Sequence, residues 1–525
     1  MSEIESKSFR NRRLFSGSML RVSYLVAGTL SSLFLLPFIV HHLGARVYGF
    51  WSLAMTFVGY YGLLDFGLSS AVAQYIGTAI GRKDSAECTA VFNTALRVQS
   101  VIGGIALLVT AVLAAATPWF CHDPADGAVF WRVISVLGVT TSLGFPARVY
   151  GAALEAEYRF DIQSWLAIFG LALRTGLSVL VILKGGGLLA LSWVTLASNL
   201  TVAVLQIWFS WREIPWARIQ RSTLGKSRLR SMFGYSAFTS VAMVADTLRF
   251  QIDPVLISAF IGLAAVTHYR VASVFTKYYV ELIVAVVGIF SPMLSRLHGA
   301  GDRIGLERVF FFATKVSLFG SVFIGMALVS WGKPFIARWM GYEYKDAYWP
   351  LVTLAMAAFL DVAQNPSIGL LYATFRHRFY TYMNVTEGLV NLLFSLILAK
   401  PLGILGVAMG TLIGAISVRL IIQPWWVCKA CNLSYSSYMK FLLGNLARCM
   451  GLMAVAVLFS SWGLKPNYLF LFCSAVCATL VYLTAAWFLV FSVQERNQLF
   501  AAITGRVKQK RDLPTFTSTE NEGFT

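Results

Sequence analysis

The sequence predicts an all-α polytopic membrane protein of about fourteen transmembrane helices, arranged as two six-helix lobes with a C-terminal helix pair. Three observations carry that prediction. Hydrophobic residues make up 57% of the 525 and charged residues only 13%, against roughly 45–50% and about 25% in soluble chains. Mean hydropathy is +0.68, and a soluble fold of this size would lack the polar surface to dissolve. Apolar runs long enough to span recur about every 35 residues from Leu14 to Phe491, so the excess does not belong to one anchor. Basic residues also collect on alternate connections between the runs. The runs are continuously apolar rather than alternating, which excludes a β-barrel.

The elements follow in chain order. Residues 1–13 are a polar tail carrying Lys7, Arg10, Arg12 and Arg13. The apolar run behind it is too long for a signal peptide and has no small-x-small cleavage site, so it reads as an uncleaved first span. The first lobe, 14–211, holds spans near 14–41, 47–77, 88–118, 129–153, 160–183 and 187–211. A basic inter-lobe loop, 212–230, carries Arg212, Arg218, Arg221, Lys226, Arg228 and Arg230. The second lobe, 231–428, holds spans near 231–261, 267–297, 308–332, 347–374, 379–399 and 403–428. Residues 429–491 supply the helix pair, near 440–462 and 467–491. The tail, 492–525, is basic at Arg506, Lys508, Lys510 and Arg511, then polar, and has the composition of a disordered segment.

An even number of spans puts both termini on one side. With that side cytoplasmic, its tails and loops carry roughly 25 Lys and Arg and the opposite side about 8, which is the bias expected of topogenic charge. About ten basic residues remain inside or close to spans, where topology does not explain them. The two lobes also repeat. At an offset of 218 residues, Leu43-Gly44 falls on Ile261-Gly262, Tyr60-Tyr61 on Tyr278-Tyr279, Gly81 on Gly299 and Asp84 on Asp302, with no gap. Repeats separated by an even number of spans keep the same orientation in the membrane.

Ionisable groups inside spans are costly unless they face a cavity or a partner. Asp246, Arg249 and Asp253 lie at i, i+3 and i+7 in the seventh span and share one helical face, with Pro254 set to break the helix. Arg270, Lys277 and Glu281 share a face of the eighth, and Lys277 and Glu281 can pair at i,i+4. Two neighbouring charged stripes imply a polar cavity beside them. Arg21, Arg249, Arg270 and Lys277 are the candidate cations for an anionic ligand. Asp65, Asp246, Asp253 and Glu281 are the candidates for charge pairing or for coupling to Na⁺ or H⁺. Each has a blander reading. Arg21 and Arg270 can snorkel to a membrane surface, Lys277 and Glu281 can be a structural pair, and Asp246 can simply neutralise Arg249. Asp65, followed by Phe66-Gly67-Leu68, reads as a group that stabilises a helix break. Arg174, Asp361 and Glu387 are weaker candidates. Tyr60, Tyr61, Tyr278 and Tyr279 are candidates for stacking on sugars, against the packing role that most such residues have.

Other function classes fare poorly. The net charge of +19 has no soluble basic domain to present it to nucleic acid. The seven cysteines include Cys428 and Cys431 as a CxxC, and Cys473 and Cys477 at i,i+4, with no matching pair for a metal or redox site, so they read as small packing residues. No cofactor or metal is expected. No Walker A sequence is present. The chain does not read as an enzyme. Its longest predicted outer loop, about eighteen residues near Gly332 to Trp349, against a usual loop of roughly 4–6, holds Glu343 and Asp346 among Trp339, Tyr342 and Tyr344 but no paired-carboxylate constellation.

The stretch around the second span is the most specific. It reads Leu43-Gly44, Tyr48-Gly49-Phe50-Trp51-Ser52-Leu53, Gly59-Tyr60, Asp65-Phe66-Gly67-Leu68, Tyr75-Ile76-Gly77 and Gly81-x-x-Asp84. This resembles the polysaccharide exporters, or Wzx-type flippases, of the multidrug/oligosaccharidyl-lipid/polysaccharide superfamily. The resemblance implies a MATE-like fold in the bacterial inner membrane, with both termini cytoplasmic. It implies transport of an undecaprenyl-pyrophosphate-linked oligosaccharide to the periplasmic leaflet by alternating access through a cationic cavity. Membrane lipids, glycosyltransferases and a periplasmic polymerase are the implied neighbours. In the related lipid II flippases, arginines of the first, second and eighth helices line the cavity. Arg21 and Arg270 occupy comparable places here, and no arginine lies within the second span. Three alternatives stay open: a lipid II flippase, which also carries the extra helix pair; a drug/cation antiporter, against which the basic residues argue; and a membrane glycan polymerase or ligase.

Overall fold

The structure, a computed structural model, describes residues 3–65, 67–117, 124–220, 251–460, 467–493, 495 and 496, with 243, 244, 247 and 249. Among the described residues thirteen helices are long and apolar enough to cross a membrane. Most of the expected seventh span lies outside the described residues, as do the core of the basic loop and the C-terminal tail. The chain divides into two compact units, Met1–Arg270 and Val271–Thr525.

The first unit opens with α1, Glu3–Leu43, which starts inside the polar tail, and α2, Ala45–Tyr60. A single glycine separates them: Gly44 has φ +88°. A 3₁₀ turn, Tyr61–Asp65, then breaks the second span, Gly67 turns left-handed at φ +69°, and α3, Leu68–Gly81, completes it. The span breaks because Asp65 accepts hydrogen bonds from the Ser69 backbone N–H (3.2 Å) and hydroxyl (2.8 Å), a local bond set that competes with helix continuation. The anticipated helix break is therefore observed. Helices α4, Ser85–Ala115, α5, Pro124–Ala156, α6, Phe160–Leu183, and α7, Leu188–Glu213, follow, and then α8, Asp253–Phe260. Pro254 sits in the first turn of α8, where its missing N–H costs nothing. The core of this unit is Tyr61, Leu68, Val72 and Ile76 against Phe92, Phe145, Tyr150 and Leu154.

The helix α9, Leu263–Val287, passes from the first unit into the second. There α10, Ser291–Gly299, α11, Arg303–Trp339, α12, Tyr348–Ala363, and α13, Asn365–Ala373, follow. Next come α14, His377–Leu402, and α15, Ile404–Ala415, which winds into a π-helical stretch, Ile416–Ile422, before α16, Gln423–Cys431. The final pair, α17, Tyr435–Ser460, and α18, Tyr468–Leu489, is fastened to α11. Trp331 Nε1 donates to Ser474 (2.9 Å), the Tyr482 hydroxyl donates to the Phe319 carbonyl (3.0 Å), and Lys315 pairs with Glu495 at 2.9 Å.

The repeat has geometric counterparts at the matched positions. Gly44 and Gly262 both carry a positive φ, +88° and +128°. Tyr61 and Tyr279 are both buried, with hydroxyls bonded to the next span, at Thr110 (2.7 Å) and at the Ser321 carbonyl (2.8 Å). Asp84 and Asp302 both cap a helix, accepting from the N–H three residues on at 2.8 Å. Tyr61 and Tyr279 therefore pack, and are not available to stack on sugars. The predicted outer loop is also corrected. Residues up to Trp339 belong to α11, Gly341 turns at φ +110°, and Tyr342–Ala347 form a 3₁₀ turn in which Tyr344 is buried.

Connections come in two kinds. On the side that the charge bias assigns to the cytoplasm, the left-handed residues are Lys83, Tyr158, Gly301, Phe375 and Asn432. Each of these turns closes through an N–H bonded to a carbonyl five residues back, at 2.8–3.1 Å, which satisfies the last carbonyls of the helix. On the other side, among the described residues, the left-handed positions are all glycine: Gly44, Gly185, Gly262, Gly341 and Gly403. Gly403, at φ +60° and ψ −140°, occupies a region that only glycine enters readily. Gly403→Ala is expected to lose about 1–3 kcal/mol of stability, read as a lower midpoint of thermal unfolding in detergent.

Candidate functional site

Four places in the spans carry most of the candidate charged groups. In the first unit, Asp65 is buried on the break of the second span, and besides Ser69 it accepts from Gln99 Nε2 at 2.6 Å. These three donors hold its carboxylate on the break itself.

The second place is the start of α8. Arg249 and Asp253 are each 5% exposed. The Tyr269 hydroxyl donates to Asp253, and the Tyr60 hydroxyl donates to the Gln251 carbonyl at 2.9 Å. Next to them the chain closes tightly: the Thr267 hydroxyl donates to the Ala45 carbonyl (2.6 Å), and a side chain at Gly49 would collide with the Leu263 carbonyl. Arg249 is therefore shut from solvent in this conformation. Asp246 lies outside the described residues, and so does the side chain of Arg21, which is carried by α1.

The third place is α9. Arg270 is half-buried. Lys277 is 55% exposed although it lies in the middle of an apolar span, and its ammonium is 3.7 Å from the Glu281 carboxylate. The expected i,i+4 pair is present. An exposed pair of this kind contributes about 0–1 kcal/mol, too little to account for a lysine at this depth as a stabilising device.

The fourth place escaped the sequence reading. Arg419, in the π-helical stretch, is 0% exposed. Its Nε lies 2.8 Å from Glu387 Oε2 and 3.1 Å from Asp361 Oδ1. Its Nη1 donates to Gln423 (2.8 Å), its Nη2 donates to Asn384 (2.7 Å), and its Cζ stands 5.6 Å from the centre of the Tyr380 ring. Gln423 in turn donates to the carbonyl of Gln364, which also receives the Tyr438 hydroxyl on its side chain, both at 3.0 Å. Gln364 marks the break between α12 and α13, where Pro366 cannot continue the helix bonding. Asp361 and Glu387, weak candidates in the sequence, are thus the two carboxylates of one buried guanidinium. The available signal was Arg419 and Gln423 at i,i+4 in one span and Gln364-Asn365-Pro366 in another.

Arg148 was also missed. It lies in α5 with its guanidinium 4.5 Å from the centre of the Phe145 ring. Among the described residues no three His, Cys, Asp or Glu side chains gather to hold a metal ion.

Comparison with known proteins bears on the whole chain. The family described as polysaccharide biosynthesis protein matches residues 43–348. The uncharacterized membrane protein EpsK of Bacillus subtilis (strain 168) is 24% identical over 486 residues, covering 89% of this chain and 93% of that one. Among solved structures, the inward-facing conformation of a multidrug resistance MATE family transporter of the MOP superfamily superposes with a TM-score of 0.69 at 15% identity, over 77% of this chain and 94% of that one. The lipid II flippase MurJ, in its inward closed conformation, superposes with a TM-score of 0.65 at 14% identity, over 93% of this chain and 99% of that one. The fold is that of this transporter superfamily.

Proposed function

Since the chain belongs to the polysaccharide biosynthesis protein family, we propose that it is a flippase for lipid-linked oligosaccharide in the bacterial inner membrane. Its cargo is an undecaprenyl-pyrophosphate-linked glycan, delivered to the outer leaflet by alternating access, with both termini cytoplasmic. The observation that carries this reading is Lys277: a cation 55% exposed in the middle of an apolar span. Such a group gains nothing from the bilayer and marks the path of a charged substrate. The pyrophosphate is the part of the cargo least able to cross hydrocarbon. Lys277, with Arg270, Arg249 and Arg21, lowers that cost by supplying counter-charge, while the prenyl tail stays in lipid. Glu281 and Asp253 are our candidates to couple the cycle to Na⁺ or H⁺, provided the ion binds the two states of the transporter unequally. Glycosyltransferases and a polymerase would supply and consume the cargo.

Leaflet-resolved labelling of lipid-linked glycan, in cells with and without the protein, tests the reading. Glycan trapped on the cytoplasmic face without the protein is the expected result. Normal exposure with short or unattached chains would instead indicate a polymerase or ligase. Lys277→Ala is expected to slow export at least about tenfold, the scale of one lost charge-assisted contact, with normal membrane insertion. Full export activity would remove Lys277 from the path.

A second reading is favoured by one finding: the superposition on the lipid II flippase covers 93% of this chain. Rescue of cells depleted of their own lipid II flippase would establish that substrate.

A further inference from the structure

Arg148 is exposed although it lies on an apolar span, eight residues and so about 12 Å short of the end of α5. Two simple explanations fail. A lipid-facing position is excluded by its direction. Val139 and Leu143, both exposed, mark the lipid side of α5, and Arg148 follows Leu143 by five residues, about 140° around the helix. Glu155, seven residues on and also exposed, lies on the same side of the helix as Arg148. Snorkelling is excluded by the side chain's course. A snorkelling arginine would extend toward the near end of the helix, at Ala156. Here the guanidinium folds back over Phe145, deeper into the span, at 4.5 Å from a ring that is itself fully buried.

Arg148 is also not spent on a structural partner. Asp65 is near enough to act on it electrostatically. That carboxylate is already taken by Ser69 and by Gln99, and among the described residues no acidic side chain lies within 4.0 Å of Arg148. The result is a cation whose ring contact fixes its orientation and whose planar fork of donors remains available, the arrangement that suits bidentate phosphate recognition.

We propose that Arg148 binds the phosphoryl group of the transported lipid within the unit Met1–Arg270, with Phe145 as its platform. The proposal rests on the flippase reading and adds to it a cation on a helix where the sequence indicated none. The chemistry recognised is a phosphate anion on a lipid, which either a polyprenyl pyrophosphate or an ordinary phospholipid headgroup supplies.

The test uses the full chain in nanodiscs of phosphatidylcholine, titrated separately with undecaprenyl pyrophosphate, undecaprenol and phosphatidylglycerol. For the wild type, tighter binding of the pyrophosphate than of undecaprenol is expected. Arg148→Gln is expected to weaken pyrophosphate binding about tenfold and Arg148→Lys about threefold, with undecaprenol binding unchanged. A monodisperse Arg148→Gln protein that binds the pyrophosphate like wild type would overturn the assignment and leave the flippase reading standing. A wild type that binds undecaprenol and the pyrophosphate equally would overturn both. Loss of phosphatidylglycerol binding as large as loss of pyrophosphate binding would identify a headgroup site and overturn the substrate assignment. Should Arg148→Gln not fold, Arg148→Lys decides, and unchanged affinity in that variant overturns the proposal.

Discussion

Arg419→Ala is expected to leave little folded protein. Removing the guanidinium strands Asp361 and Glu387, 12% and 1% exposed, without the cation that both face. Breaking a buried ion pair from one side costs about 3–5 kcal/mol, a large share of the roughly 5–15 kcal/mol that holds a typical protein folded. The damage extends further, because Arg419 also orders Asn384 and Gln423, and Gln423 ties down the break at Gln364. Size-exclusion profiles and thermal unfolding of the purified protein read the effect. A triple variant, Arg419→Met with Asp361→Asn and Glu387→Gln, removes the charges together and is expected to recover much of the loss. If Arg419→Ala unfolds at the wild-type temperature, the network is not what secures this unit.

Gly410→Leu is expected to separate α14 from α15. Gly406, Gly410 and Gly414 recur every four residues and form a stripe of small residues on one face, the pattern that brings helices together in lipid. A side chain at Gly406 would collide with the Leu398 carbonyl, and one at Gly410 would lie 2.6 Å from the Ser395 backbone nitrogen. At Gly414 the Glu387 carbonyl stands 3.0 Å away. Backbone cannot step aside as a side chain can, so the cost exceeds the about 1–3 kcal/mol usual for overpacking. The same stripe positions Glu387 against Arg419, so the two variants are expected to fail in the same way. Gly444→Leu on α17, which meets nothing within 4 Å, serves as the control and is expected to behave as wild type. Protease sensitivity of the chain in membranes distinguishes the two glycine variants.

Much of the fold was legible because a membrane span announces itself locally. A helix in lipid must be apolar along its length, so the run itself locates it, whatever its neighbours are. The repeat was legible for a related reason: Tyr61 and Tyr279, or Asp84 and Asp302, have the same local tasks and so keep the same residue types. Span ends were less clear. The expected 308–332 is a helix from Arg303 to Trp339, because interfacial polar and aromatic residues continue the helix beyond the apolar run. The site was harder to read. Helical periodicity says that Arg249 and Asp253 share a face, but not whether that face is open, and both proved buried. Arg419 meets Glu387 and Asp361 across separations of 32 and 58 residues, and no spacing rule reaches so far. Arg148 stayed hidden because an isolated arginine near the end of a span looks like a topogenic charge until its direction is known.

The five glycine turns affect how the protein is made. A single residue joins α1 to α2 and α14 to α15, and two join α8 to α9. With so little slack, the second helix of each pair cannot wait in the aqueous phase while the first settles in the bilayer. Each pair must enter during synthesis as one preformed hairpin. What then leads each hairpin across the hydrocarbon is a bend of one or two residues whose positive-φ position carries no side chain.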